Sequence, residues 1–359
     1  MSIDKITQPI KDFIGLETYL HIREAALKIL NNLAWVADSG NRLYWPLLIS
    51  FVLIGFFAYS QNKEKNGFLS FLLPKRVFLH PDSIRGYAFV AINSVLSAII
   101  RFGSLIISTL MVIGWTEQGL TALFGSPDAS VEAGVVAILT FTIVIMVAGD
   151  FGLWTSHALF HKVPVFWEFH KVHHCPAQLT PVTDRQIHPV EEIIRGAILA
   201  LALGPVIGTA QYLYGTPPTE LTVLGIGVFK LLFELFGNFR HSHIWIAFPR
   251  WLSHIISSPA MHQIHHSSAK EHWDINYAVM FSFWDWMFGT LYIPRERETL
   301  SLGVYGDSPD ELNSVVKLYF RPFVRAASHI PGSRGHKEIV AKRRLMHAEK
   351  PSSSTSHPS

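Results

Sequence analysis

Charge is what this chain has least of. Only 16% of its 359 residues are Asp, Glu, Lys or Arg, whereas 49% are hydrophobic. A soluble globular domain carries nearer a quarter charged residues. That shortfall, with a mean hydropathy of +0.26, argues for a membrane protein before any motif is read. The formal net charge of +3 gives no basis for binding nucleic acid, which needs a strongly basic face. Cysteine is scarcer still. Cys175 stands alone, which excludes an internal disulfide, a CxxC zinc site and an iron–sulfur centre. HExxH, GxGxxG and the HPGG of a fused cytochrome b5 are also missing, and the string HIPG at 329–332 does not replace the last. The opening MSIDKITQPIKDF is polar and mixed in charge, unlike a cleavable signal peptide. Membrane insertion is therefore expected to rest on internal apolar runs.

Those runs are present. LYWPLLISFVLIGFFAYS (43–60) holds 18 uncharged residues, near the minimum of about 17–20 that crosses a bilayer. The run 86–115 is interrupted by Arg101 and reads as one long tilted helix or two short halves. AGVVAILTFTIVIMVAG (133–149) spans cleanly, and 193–213 with 221–236 reads as a hairpin around YGTPPTE. Lys63, Lys65, Lys75, Arg76 and Arg85 fall in the 61–85 loop, whereas 116–132 and 214–220 hold no Lys or Arg. The positive-inside rule then places 61–85, 150–192 and 237–359 in the cytosol, with five spans. The expected fold is all-α, an integral membrane helical bundle with a cytosolic helical cap carrying a dimetal histidine site. Residues 1–42 read as an N-terminal amphipathic segment and 43–132 as the N-terminal transmembrane region. The unit with the site covers 133–292, and 293–359 is a cytosolic extension with a disordered tail from about 333. No dilysine or KDEL-type retention signal occurs, which favours a bacterial inner membrane over the endoplasmic reticulum.

Histidine is the abundant residue. Of 19, 13 lie between His157 and His272, almost all outside the apolar runs. They cluster as HxxxH (His157, His161) and as two copies of HxxHH (His170, His173, His174 and His262, His265, His266). On a helix, i, i+3 and i+4 share one face, so HxxxH should aim two imidazoles at one point and HxxHH three. Neutral imidazole suits iron, zinc, copper and nickel. Eight such ligands exceed the four of one tetrahedral ion, so at least two metal ions are expected. The span ending at 149 precedes His157 and the one ending at 236 precedes His241, which puts both sets just beneath the membrane. Glu191 and Glu192, after His188, are the nearest candidates for a hydrolase's general base. Cys175 reads as a buried small residue, and His329, His336, His347 and His357 have no visible partners.

The order HxxxH, HxxHH, HxxHH beside a hydrophobic hairpin resembles the fatty acid hydroxylase / sterol desaturase superfamily of membrane diiron oxygenases. HPVE (188–191), NFRHSH (238–243) and HWDINYAVMFSFWDWMFGT (272–290) resemble further elements of that family, so the likeness covers about residues 137–292. It implies metal ligation by His157, His161, His170, His173, His174, His262, His265 and His266, with His241, and with His188 as a further ligand or a support behind the ligands. His243 stands where the family usually has Asn, Ala278 where Gly is common and Trp286 where Arg is common. His243, Asp274 and Asp285 are candidates to orient ligand imidazoles from behind. Two Fe ions are implied as cofactors, replaceable by zinc in preparations, with O2 as co-substrate. The implied reaction is hydroxylation or desaturation of a C–H bond in a lipid (sterol, fatty acyl or related), in lipid biosynthesis or modification. A separate electron donor is expected, of cytochrome b5, ferredoxin or flavin-reductase type. The competing readings are a membrane zinc metallo-hydrolase and a metal-binding or transport protein, although transporters place their polar ligands within the spans.

Overall fold

An apolar run that ends in two histidines builds a helix of 28 residues, Val135–Lys162. At about 1.5 Å per residue it is about 42 Å long, against about 30 Å for a bilayer's hydrocarbon core. The surplus, roughly eight residues at its C-terminal end, carries His157 and His161. The computed structural model describes residues 45–61, 67–103, 108–127, 132–224, 226–306 and 310–331. The expected N-terminal segment 1–42 and the tail from 333 lie outside these. Among the described residues, Val135–Lys162 and the 26-residue Pro189–Tyr214 are the two helices long and apolar enough to cross a membrane.

These two helices run antiparallel. A Cβ added at Gly152 would lie 3.0 Å from Ala202, whereas the first turn of Pro189–Tyr214 reaches the histidines through Glu191. A GxxxG pair on the second helix, Gly204 and Gly208, receives the Thr109–Phe124 helix. Cβ atoms there would sit 2.5 Å from Val112 Cβ and 2.8 Å from the Ile113 carbonyl. Small residues let apolar helices approach until their backbones touch, the main source of helix association where no hydrophobic force acts. The outer faces stay apolar, with Val135, Val136 and Leu201 all exposed.

One of the two readings of 86–115 holds, and that of 221–236 is corrected. The run 86–115 is two helices, Pro81–Gly103 and Thr109–Phe124, the second capped by Ser108, whose hydroxyl accepts the Met111 amide. The segment 221–236 is not a full span. Thr222–Val223 and Ile226–Gly227 pair as short antiparallel strands, followed by an eight-residue helix, Val228–Leu235. Eight residues rise only about 12 Å. The local cause is crowding and a reversed backbone: a Cβ at Gly227 would collide with the Glu220 carboxylate, and Leu224 has φ +52. The segment starts partway along the neighbouring helix, where the Leu221 amide donates to Thr142 Oγ1 at 3.0 Å. Thr142 already lies about 10 Å along its helix, leaving roughly 22 Å to the level of His157.

Below the spans a cap of short helices surrounds the histidines. Pro164 ends the long helix and opens Pro164–His174, with Val163 serving as C-cap of one and N-cap of the other; proline cannot continue a helix but suits its first position. Val315–Ala327 packs on Pro164–His174, stacking Phe323 edge-on to Phe169. Buried Glu168 ties the two, accepting from Lys171 Nζ at 2.7 Å and His329 Nε2 at 2.9 Å, with Arg325 Nε 3.6 Å away. His329, expected to lack a partner, is thus part of the cap.

Candidate metal centre

Four chain segments bring the imidazoles together. His157 and His161 extend from the surplus turns of Val135–Lys162, and His170, His173 and His174 from Pro164–His174. His262 and His265 sit on Pro259–His265, whose N-cap Ser258 accepts the Met261 amide, and His266 is its C-cap. His241 follows the short helix Gly237–Arg240.

The rings form two groups. In one, the ligand nitrogens of His157, His161, His170, His174 and His265 all lie within 4.8 Å of one another; in the other, those of His173, His241, His262 and His266 do the same. The HxxHH boxes are therefore split, against the expectation that each aims three rings at one point. His170 and His174 enter the first group and His173 the second, whereas His262 and His266 enter the second and His265 the first. Helical geometry explains this. Positions i and i+4 differ by about 40° around the axis, but i+3 and i+4 diverge by about 100°.

Four of the nine rings are anchored from behind by hydrogen bonds. His157 Nδ1–H donates to the Tyr277 carbonyl and His265 Nδ1–H to the Ile275 carbonyl, both at 2.8 Å. His173 Nδ1–H donates to the Thr183 carbonyl at 3.1 Å and His170 Nδ1–H to Glu191 Oε1 at 3.0 Å. Asp184 Oδ1 lies 3.5 Å from His241 Nδ1. A ring that donates from Nδ1 presents a bare lone pair at Nε2. In the first group the Nε2 atoms of His161, His170, His174 and His265 are buried without a protein partner. In the second, His241 Nε2 stands 2.9 Å from His266 Nε2, 3.0 Å from His262 Nε2 and 3.2 Å from His173 Nε2. Buried acceptor nitrogens converging in this way fit a cation, the one species that satisfies them together. Burial, reinforced by neighbouring imidazoles, pushes His173 down to about 4 and His265 to about 3, and holds His174, His262 and His266 well below the ordinary range. These five rings are neutral at physiological pH, the form that binds metal.

The carbonyls behind His157 and His265 come from one irregular segment. Asp274 and Asn276 adopt φ of +61 and +54, where non-glycine residues are uncommon and Asn and Asp enriched. Asn276 is fully buried and spans the fold, donating to the Met261 and Tyr292 carbonyls and accepting the Tyr292 amide. Two buried carboxylates clamp the stretch 277–290. Asp285 accepts from the Tyr277 and Ala278 amides, Trp154 Nε1 and Thr290 Oγ1. Asp150 accepts from the Met280 and Phe281 amides and Trp284 Nε1. Asp285 therefore reaches His157 through the Tyr277 backbone and does not touch a histidine ring.

The remaining expected residues lie elsewhere. His188 is in neither group: it caps Pro189–Tyr214, its Nδ1 accepting the Val190 amide while Nε2–H donates to the Tyr319 carbonyl. Both ring nitrogens are engaged, so ligation would cost the cap. His243 turns away, donating from Nε2 to the Phe71 carbonyl at 2.7 Å. Asp274 accepts from the Tyr277 hydroxyl and stands 3.7 Å from Lys162 Nζ, half-exposed. Glu191, considered as a general base, instead holds His170. Cys175 is a bystander: its thiol donates to the Val172 carbonyl, and burial pushes it up to about 12. Thr183 and Asp184 carry no motif that marks them in the sequence, and Ile275 and Asn276 fall within the 272–290 element without a role read from it. Three of the contacts behind the rings use backbone carbonyls, which have no residue signature.

Residues 142–290 match the family model of fatty acid hydroxylases, a stretch that contains both histidine groups. An ornithine lipid hydroxylase of Rhizobium tropici is 26% identical over 207 residues, covering 57% of this chain and 55% of that protein. A Delta(7)-sterol 5(6)-desaturase of Aspergillus fumigatus is 26% identical over 240 residues, 63% of this chain and 69% of that protein. Human alkylglycerol monooxygenase is 25% identical over 154 residues, 43% of this chain and 31% of its own. The chain thus spans about half the length of the first of these relatives, at 55%. No solved structure matches it. The resemblance to the fatty acid hydroxylase / sterol desaturase superfamily, read from the histidine spacing, holds over this region.

Proposed function

We propose that the chain is a membrane-bound non-haem diiron oxygenase that hydroxylates or desaturates a C–H bond of a lipid. The observation that carries this reading is the pair of buried imidazole groups, sharing two HxxHH boxes, inside a stretch similar to lipid hydroxylases and desaturases. His157, His161, His170, His174 and His265 would hold one ion, and His173, His241, His262 and His266 the other. Two iron ions there would supply the O2-dependent oxidising chemistry, with two electrons drawn from a separate donor protein. The chain's own residues hold the ligand rings in one tautomer through the Tyr277, Ile275 and Thr183 carbonyls and Glu191. The closed cap keeps bulk water from the ligand nitrogens, which are buried. A zinc hydrolase is disfavoured because the nearest carboxylate suited to a general base, Glu191, is tied to His170.

This reading puts the site on the cytosolic side of an integral membrane bundle and takes 133–292 as the hydroxylase-like unit. Two contacts support this orientation. The helix Pro81–Gly103, which follows Lys75 and Arg76 and contains Arg85, lies against the cap, with Asn93 Nδ2 donating to the Ile187 carbonyl and the Tyr319 hydroxyl to that of Phe89. Basic residues therefore gather on the histidine side.

The test is expression with a generic reductase system under 18O2, comparing host lipids with those made by a His173→Ala/His265→Ala variant, which removes one ring from each group. Labelled or newly unsaturated lipid that requires both histidines is expected. Unchanged lipids, with stoichiometric zinc that iron does not displace, would overturn the reading.

A further inference from the structure

We propose that the cavity between the cytosolic end of the Trp45–Gln61 helix and the loop carrying Arg297 binds the anionic headgroup of the substrate lipid. This rests on the reading of the chain as a lipid oxygenase and names the lipid class it would take. The cavity has a volume of about 930 Å³ and is lined by Lys75, Arg76 and Arg297 but by no acidic side chain. All three cations are exposed, and none has an ion-pair partner among the described residues. Elsewhere the described cations of the cap are largely committed: Arg85 to Asp82, Lys171 and Arg325 to Glu168, and Arg321 to Glu311. Three uncommitted positive charges around one concavity favour a phosphate or carboxylate group, whose charge they would neutralise together.

Two further features make the ligand a lipid. The wall beside the cations is apolar and exposed among the described residues: Leu69 is 69% exposed and Leu73 45%. It continues up the spanning side of Trp45–Gln61, where Leu53 is 63% and Phe57 66% exposed. Charge at one end and a greasy track at the other complement an amphiphile. The cavity also leads inward. His243, Trp245 and Arg297 line a second space of about 240 Å³, bounded by Ser242, Gln263 and Glu298, whose carboxylate is paired with His272. Ser242 and Gln263 directly follow His241 and His262, rings of the four-histidine group. A headgroup on Lys75, Arg76 and Arg297 would thus sit one space away from the segments carrying the four-histidine group, while its chain remains in contact with the bilayer. His243, which faces away from the metal groups, gains a role here as part of the wall between the two spaces.

The full chain, metal-loaded and reconstituted in phosphatidylcholine nanodiscs, tests this. Binding of phosphatidylglycerol is compared with that of further phosphatidylcholine by native mass spectrometry. Wild type is expected to prefer the anionic lipid, and Arg76→Ala/Arg297→Ala to lose the preference by about tenfold or more, as removal of two cations facing an anionic lipid implies. Arg297→Lys should retain most of it. Arg295→Ala, an exposed cation outside the cavity, should leave it unchanged, and iron content should match wild type in every variant. Equal binding of both lipids by wild type, or full preference in the double variant, overturns the proposal. So does displacement of the lipid by an equal concentration of inorganic phosphate, which would make the ligand a free anion. Anionic preference that depends on the arginines, in a wild type that oxidises no lipid, upholds the cavity and fails the oxygenase reading instead.

Discussion

Glu191 offers the most discriminating perturbation of the metal centre. Its carboxylate is 5% exposed and accepts from His170 Nδ1–H at 3.0 Å, so it sets that ring's tautomer and angle without being among the nitrogens that converge. Glu191→Ala would leave the His170 N–H buried without an acceptor, at a cost of about 1–3 kcal/mol. Loss of an outer partner of a metal-bound histidine typically weakens metal binding by about 10- to 100-fold, which is about 1.4–2.8 kcal/mol. The two routes agree in size. Glu191→Gln keeps an acceptor oxygen at the same place and removes only the charge, so its loss should fall near the tenfold end and that of Ala near the hundredfold end. Competitive titration of iron against a chelator measures both, with circular dichroism to verify that each variant is folded. A folded Glu191→Ala protein with wild-type metal affinity would refute the argument that the ring is held from behind. Equal losses in Gln and Ala would show that charge alone, and not the oriented acceptor, accounts for the effect.

Other outcomes rest on the packing and the titration of the site. Asp285→Ala strips the acceptor from four donors and should lower unfolding stability by about 3 kcal/mol or more, with Asn recovering part; an unchanged midpoint in denaturant would remove the clamp from the account. Gly208→Val should destabilise by about 1–3 kcal/mol through overpacking, whereas Gly119→Val, with open space around its Cα, should be near neutral; equal effects would show that the GxxxG contact does not hold the helices. The metal-free protein should lose stability as pH falls from 6.5 toward 4. The unfolded chain binds protons that buried His173 refuses until about 4, so its contribution of roughly 3 kcal/mol is present above 6.5 and gone below the folded value. Metal should leave over the same window. A flat stability between pH 7 and 4 would contradict the burial of these rings.

Much of the fold and the site is legible in the residues. The three boxes and the long apolar runs at 133–149 and 193–213 come from spacing and hydropathy. Three things are not legible there. The run 221–236 is as apolar as a span, and nothing in its composition reports that Leu221 already hangs from Thr142 partway along the neighbouring helix. His188 sits beside a box and before Pro189, a pattern that fits a ligand and a cap equally; only the fold shows both ring nitrogens engaged with backbone groups. The supports behind His157, His173 and His265 are carbonyls, which every residue has. Asn276 is the one available signal, since a left-handed turn among apolar neighbours favours Asn.

The repetition of HxxHH has a geometric reason that spacing alone could have yielded. A helix carrying i, i+3 and i+4 histidines cannot bring all three to one ion without distortion, because i+3 and i+4 point about 100° apart. It can present two rings to one ion and the third to its neighbour. One such helix leaves the two ions unequally served. A second, facing the first, gives its pair where the other gives its single ring, and that is the arrangement seen: His170 and His174 meet His265, while His262 and His266 meet His173. HxxxH then adds His157 and His161 to one side and His241 completes the other. Under this scheme the i+3 ring, not the i+4 ring, couples the two groups. His173→Ala should therefore release the ion of the four-histidine group, which falls to three rings, while His170→Ala leaves four rings and retains its ion. Iron content by mass spectrometry should be near one per chain in the first variant and near two in the second. Loss of both ions from either variant would mean that the boxes act as undivided units, as their spacing alone suggests.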